Sequence, residues 1–217
     1  MGWFESPVVA PPPPPTLLSR TLSMELVVVF LMGLCTGLLL PYIYHVLFHR
    51  YATVKDIPES SFDNEVSLRG TVVAVSDGDT FRLRHMPWLT GVGSYDGKKL
   101  TENTLQIRLA GIDTPEIAHF GKPCQPYAKE AKAQLTSMLQ GRIVTVRLLR
   151  RDQYGRAVCM VTYGTWPFSY QNVSEELLKF GLARVYRLGG AAYGGLLDTF
   201  NALEAEAQAA RLHIWSD

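Results

Sequence analysis

The chain has 217 residues, 47% of them hydrophobic, with 21 Lys+Arg against 20 Asp+Glu. That length suits one ordinary domain plus something extra, and the near-neutral balance excludes a protein that coats duplex nucleic acid with its whole surface. Cys35, Cys124 and Cys159 lie far apart with no CxxC or Cys/His spacing, which excludes a disulfide framework and a zinc finger.

Residues 1–23 contain the run Pro11 to Pro15, read as a polyproline II or disordered spacer that is open to a proline-binding partner. Residues 24–48 read as a transmembrane helix. From Leu26 to Tyr44 no side chain is charged at neutral pH. Those 19 residues rise roughly 28 Å as a helix, close to the ~30 Å hydrocarbon layer. Tyr42, Tyr44 and Tyr51 stand where interfacial aromatics belong. The run is long for a cleaved signal peptide, starts late and lacks a small-x-small exit before His45, so a retained anchor is expected. Arg50 and Lys55 after the span, against Arg20 before it, tilt the C-terminal part only slightly toward the cytoplasmic or matrix side.

Residues 49–63 read as a linker and 64–217 as an α+β domain. Val66 to Val75 is rich in β-branched residues, and Thr80 to Arg84 alternates after the Asp-Gly turn signal, which predicts a hairpin. In Leu105 to Leu109, Leu105, Ile107 and Leu109 share one face, so Arg108 must point away from the core. Ile143 to Leu149 and Ala157 to Tyr163 complete five strands around the Tyr154-Gly155 turn, the number for a small Greek-key barrel. Three helices are expected. The first, Tyr127 to Leu139, has Ala128, Ala131, Leu135 and Met138 inward; the second is capped by Asn172 and ends at Gly181; the third runs from about Leu196 to Arg211, with Leu197, Phe200, Leu203 and Ala207 inward. The long loop from His85 to Asn103 reads as a mobile hairpin tip or as a lip over a site.

The chemistry-bearing residues fall in a few short stretches: Asp77-Gly-Asp-Thr80, Arg108-Leu-Ala-Gly-Ile-Asp-Thr-Pro-Glu116, and Asp152-Gln-Tyr-Gly-Arg156. They hold acids for a hard metal and two guanidinium groups for a phosphate. With Gly181-Leu-Ala-Arg-Val185 and the ending Ile214-Trp215, they resemble the staphylococcal-nuclease (thermonuclease) family in order and internal offset, over roughly residues 66 to 217. Ala118-His-Phe-Gly-Lys-Pro and the anchor ahead of the domain look most like a membrane-bound subgroup from fungal mitochondria. The resemblance implies an OB-fold barrel, a calcium-dependent endonuclease acting on single-stranded DNA or RNA, and products ending in 3′-phosphate. It also implies a single-pass mitochondrial membrane location, with the secretory pathway as the alternative.

Carried over residue by residue, the resemblance makes Asp79, Asp113 and the Thr114 carbonyl the ligands of Ca2+, whose preference is for hard oxygen. Glu116 is then general base or orienter of the attacking water, and Arg108 and Arg156 clamp the phosphate. Tyr154 and Tyr186 contact substrate, although the family's aromatics sit slightly later than Tyr186, where this chain has Arg187. The bland alternatives are turn duty for Asp77 and Asp79, a surface ion pair for Arg108, and an Asp152 pair for Arg156. His119 and His213 read as ordinary polar residues. Two rival functions stay open: an inactive nucleic-acid-binding barrel, and a membrane-tethered scaffold docking through its Pro-rich segment.

Overall fold

The computed structural model describes residues 17–91, 99–118, 123–165 and 169–216. Pro11 to Pro15, His119 and the tip of the 85–103 loop at 92–98 lie outside the described residues. The chain divides into two compact units, one ending at Val46 and the other beginning at Leu47.

Helix α1 (Leu17–Phe48), all but its last two residues in the first unit, contains Met24–Tyr44, a stretch long and apolar enough to cross a membrane. Its side chains from Met24 to Tyr44 are exposed, as a helix with apolar residues on every side is when nothing covers it.

The second unit is a closed barrel. Strand β1 (Ser67–Asp77) turns through Gly78-Asp79 into β2 (Thr80–His85), and β2 pairs antiparallel with β3 (Leu105–Leu109). The single-turn helices α2 (Glu59–Asp63) and α3 (Leu100–Asn103) precede β1 and β3. After the short β4 (Ile112–Asp113) and helix α4 (Ala128–Leu139), β5 (Ile143–Arg151) returns to pair with β1. Strand β6 (Ala157–Thr165) pairs antiparallel with β5 and parallel with β3, which closes five strands into the OB-type barrel expected from the sequence. Register shifts along the β1–β2 ladder let β1 bend around the closure.

Four smaller elements complete the fold. They are β7 (Ser169–Asn172) on the edge of β6, helix α5 (Val173–Lys179), the ribbon strand β8 (Arg184–Val185) paired with β4, and helix α6 (Leu197–Ala209).

The period-2 reading of β3 is met: Leu105, Ile107 and Leu109 are buried and Gln106 and Arg108 are half-buried outward. Ala128, Ala131, Leu135 and Met138 of α4 are buried as expected. In α6, Phe200 and Ala207 are buried, whereas Leu197, at the first helical position, is exposed. Asn172 caps α5 by accepting from the Ser174 and Glu175 N–H groups. The 49–63 stretch packs against the domain through buried Val54, Ile57 and Phe62. The Tyr51 N–H also donates to His85 Nδ1 at 3.0 Å, with the two rings stacked 5.2 Å apart. All three cysteines are free.

Candidate active site

Strand register brings the site together. Arg108 on β3 pairs across to Thr80 on β2, so its outward side chain rises beside the Gly78-Asp79 turn. On its other flank Arg108 pairs with Val158 of β6. Arg156 lies at the end of the turn just before β6, one residue ahead of the Ala157 that pairs with Ile107. Beyond β3 the chain breaks at Gly111, whose backbone is left-handed (φ +74°) and where an added Cβ would lie 2.5 Å from the Phe200 ring. Only glycine fits there, and the break turns β4 so that Asp113 faces Arg108.

The acids meet one guanidinium. Arg108 Nη1 donates to Asp79 Oδ1 at 2.7 Å and Nη2 to Asp113 Oδ1 at 2.5 Å. Asp79 is buried, accepts from the Thr80 hydroxyl at 2.9 Å, and accepts through Oδ2 from the Thr114 N–H at 3.3 Å. Asp79 thus sits between Arg108 and the Thr114 N–H, and Asp113 meets the same guanidinium. Gly78 makes this possible: a Cβ there would lie 2.5 Å from Thr114 Oγ1 and 2.8 Å from Ala131 Cβ. Asp77 serves the turn, accepting from the Gly78 N–H, and its carboxyl lies near enough to Glu116 to raise that group.

The electrostatics follow from that crowding. Burial pushes the Asp79 carboxyl above the usual carboxylate range, although Arg108 and Thr80 oppose it. Burial works against the charge of Arg108, but Asp79 and Asp113 outweigh it and hold the guanidinium above its ordinary value. Glu116 is raised to about 7, first by burial, then by the Asp77 carboxyl beside it and by the negative charges of Asp79 and Asp113. Four carboxylates around one guanidinium leave a deficit of positive charge. Hard oxygen donors in that state suit a calcium-like cation. The buried Thr114 Oγ1, with no hydrogen-bond partner, adds an unsatisfied oxygen beside Asp79. Among the described residues there is no group of three or more His, Cys, Asp or Glu arranged to hold a metal ion. The fit therefore rests on Asp79, Asp113 and the Thr114 backbone.

Arg156 is fixed differently. Its Nε donates to Asp152 Oδ2 at 2.5 Å, and Asp152 Oδ1 accepts from the Tyr154 and Arg156 N–H groups. Burial opposes the Asp152 charge, but these bonds hold its carboxyl below the ordinary range. The pairing with Asp152 uses one edge of the guanidinium, and its two Nη groups have no partner among the described residues. The ring of exposed Tyr154 lies 5.2 Å from the Arg156 Cζ, and that of Tyr186 lies 5.9 Å from the Arg108 Cζ. His213 Nδ1–H donates to the Phe180 carbonyl at 2.6 Å, a structural bond.

Three features carried no sequence signal. Gln125 Oε1 accepts from the Glu116 N–H at 2.9 Å, and the Gln125 N–H donates to the Glu116 carbonyl, which ties down the segment bearing Glu116. Buried Glu204 of α6 holds β8 by accepting from the Val185 N–H and from Arg187. A cleft of about 540 Å³ opens beside Asp113 and Thr114, walled by Tyr127, Arg184 and Ile214.

A closed barrel with acids gathered on one guanidinium fits a domain of the phosphodiester-hydrolase class. The profile of the Staphylococcal nuclease homologue family matches residues 106–217. The chain is 54% identical over 191 residues to Endonuclease Htp3 of Saprolegnia parasitica, covering 88% of this chain and 89% of that one. It is 40% identical over 178 residues to Probable endonuclease lcl3 of Sclerotinia sclerotiorum, with 75% and 67% covered. It is 39% identical over 193 residues to Probable endonuclease LCL3 of Candida albicans, with 85% and 82% covered. The chain belongs to the staphylococcal nuclease homologue family, and the enzyme class that goes with it is phosphodiester hydrolysis.

Proposed function

We propose that the protein is a membrane-anchored, calcium-dependent endonuclease that hydrolyses single-stranded DNA or RNA by in-line attack of water. The observation that carries this reading is the meeting of Asp79 and Asp113 on the Arg108 guanidinium, with the Thr114 N–H on Asp79 and Arg156 at the turn that enters the neighbouring strand. Asp79, Asp113 and the Thr114 carbonyl would hold Ca2+, which when bound supplies Lewis-acid polarisation of a phosphoryl oxygen. Glu116 takes the proton of the attacking water, a task its value of about 7 suits near neutral pH. Arg156 offers its two free Nη groups to the equatorial oxygens. Arg108 is available to the same oxygens once its carboxylate partners are neutralised otherwise. Tyr154 and Tyr186, each beside one of these arginines, line the approach of the substrate.

The apolar stretch Met24–Tyr44 supports a single-pass anchor, and the resemblance to the fungal membrane-bound subgroup supports a mitochondrial membrane. The deciding assay is cleavage of heat-denatured DNA by the detergent-solubilised chain with calcium or with chelator. Chelator-sensitive cleavage is expected, and Arg156→Ala or Glu116→Gln should lower it about 10²- to 10³-fold. Binding without cleavage under calcium would leave a nucleic-acid-binding barrel instead. Removing residues 1–50 should release the protein from carbonate-washed membranes; its retention there would refute the anchor.

A further inference from the structure

The cleft beside Asp113 contains a cation that the reaction above does not use. Arg184 on β8 is the cross-strand partner of Asp113 on β4, so the two side chains emerge on the same face about 5 Å apart at their origins. Asp113 is already engaged by Arg108. Arg184 lies instead over the Trp215 ring, with its Cζ 4.9 Å from the centroid, and has no carboxylate partner among the described residues. A guanidinium over an indole face is held in place by the ring's quadrupole, and its N–H groups can still donate.

The facing wall is Tyr127. It is not glycine, yet its backbone is left-handed (φ 65°), a conformation that costs of order 1 kcal/mol in such a residue. Its hydroxyl is 2.8 Å from Ser216 Oγ, and its ring meets His213 edge-on at 5.8 Å. The ring is thus fixed from two sides as one wall of the cleft, which Gln125, Pro126 and Ile214 extend. A volume of about 540 Å³ lies within the range of small-ligand sites. A polynucleotide lying on the acids must continue past them, and this opening shares Asp113 and Thr114 with the candidate cation site.

We propose that this cleft is a second nucleotide subsite, in which Arg184 holds the phosphate next to the scissile one and the Tyr127 ring stacks on the adjoining base. The proposal rests on the reading that the protein takes single-stranded nucleic acid, and it adds where the strand leaves the reacting phosphate. The alternative for the Arg184–Trp215 contact is a clamp on the C-terminus, and that role would change stability without changing how binding responds to salt.

The test is direct binding of a fluorescein-labelled short oligothymidylate to the 217-residue chain in neutral detergent. Chelator is kept in excess so that nothing is cut, and sodium chloride is varied. Arg184→Gln is expected to weaken binding about tenfold, as loss of one charge-assisted bond does. It should also reduce the slope of log K against log salt by about 0.7, one single-strand phosphate contact. Arg184→Lys should keep the slope, and Tyr127→Ala should weaken binding about tenfold with the slope unchanged. Lys179→Gln removes the same charge from a lysine paired with Glu176 and serves as the control for general electrostatics. An Arg184→Gln slope equal to wild type would overturn the subsite, as would an equal loss of slope in Lys179→Gln. If Arg184→Gln fails to fold, the Arg184→Lys and Tyr127→Ala results decide on the same terms. Wild-type chain that does not bind the oligonucleotide at all would overturn the single-strand reading, and the subsite with it.

Discussion

Gly78→Ala tests whether the turn before Asp79 sets the geometry of the acids. Gly78 does not occupy the left-handed region, so alanine brings no backbone strain and the effect is steric alone. The new methyl would stand 2.5 Å from Thr114 Oγ1, 2.9 Å from Thr114 Cβ and 2.8 Å from Ala131 Cβ. Rotating Thr114 relieves only the first contact. The other two involve Cβ atoms, which move only with the backbone, so β4 or α4 must shift. Overpacking of this kind costs about 1–3 kcal/mol. At about 2–4 °C per kcal/mol for a domain of this size, the expected fall in Tm is roughly 2–12 °C. The same displacement separates Thr114 from Asp79, and a shift of about 1 Å in a positioning element costs on the order of 10²-fold in rate. Thermal denaturation and initial rates on denatured DNA with calcium measure both. An unchanged Tm together with a wild-type rate would refute the reasoning, because it would show that the space exists and that the turn does not position the acids.

Arg108→Met should leave buried Asp79 short of its partner and cost about 3 kcal/mol, read by denaturant unfolding. Added calcium should then raise the Tm of this variant more than that of wild type, since the cation replaces the missing charge; an equal rise would argue against Asp79 as a ligand. Burial, aided by the charges of His49 and Arg50, lowers His85 to about 4, so the unfolded chain binds the extra proton. This contribution is intact above about pH 6.5 and is lost as pH falls toward 4, amounting to about 3 kcal/mol. His85→Asn should flatten that part of the stability–pH curve, and an unaltered acid slope would contradict the assignment. Asn172→Ala should cost about 1 kcal/mol by uncapping α5, with activity retained at permissive temperature.

The sequence displayed those parts whose physics is periodic or local. Leu105, Ile107 and Leu109 alternate because β3 has one face in the barrel, and the same alternation forces Arg108 outward onto the acids. The cap at Asn172 was legible because its oxygen satisfies N–H groups two and three residues on. Strands β4 and β8, two residues each, are too short to show any period, so the pairing of Asp113 with Arg184 left no trace. Glu204 occupies a helix position that reads as solvated, yet it is buried because the Val185 N–H and Arg187 need an acceptor. Gln125 acts through a backbone N–H nine residues away, a contact that no spacing rule announces. Tyr127 was expected as the first helical residue, and its left-handed backbone instead makes it the entry to α4.

The parallel seam that joins Ile107 to Ala157 is what converts a curled sheet into a barrel, and residues 108 and 156 stand on either side of it. A copy that has made its hairpins but not this join owns both arginines on strands that do not yet meet. Under the function proposed above, cutting would then come only with closure.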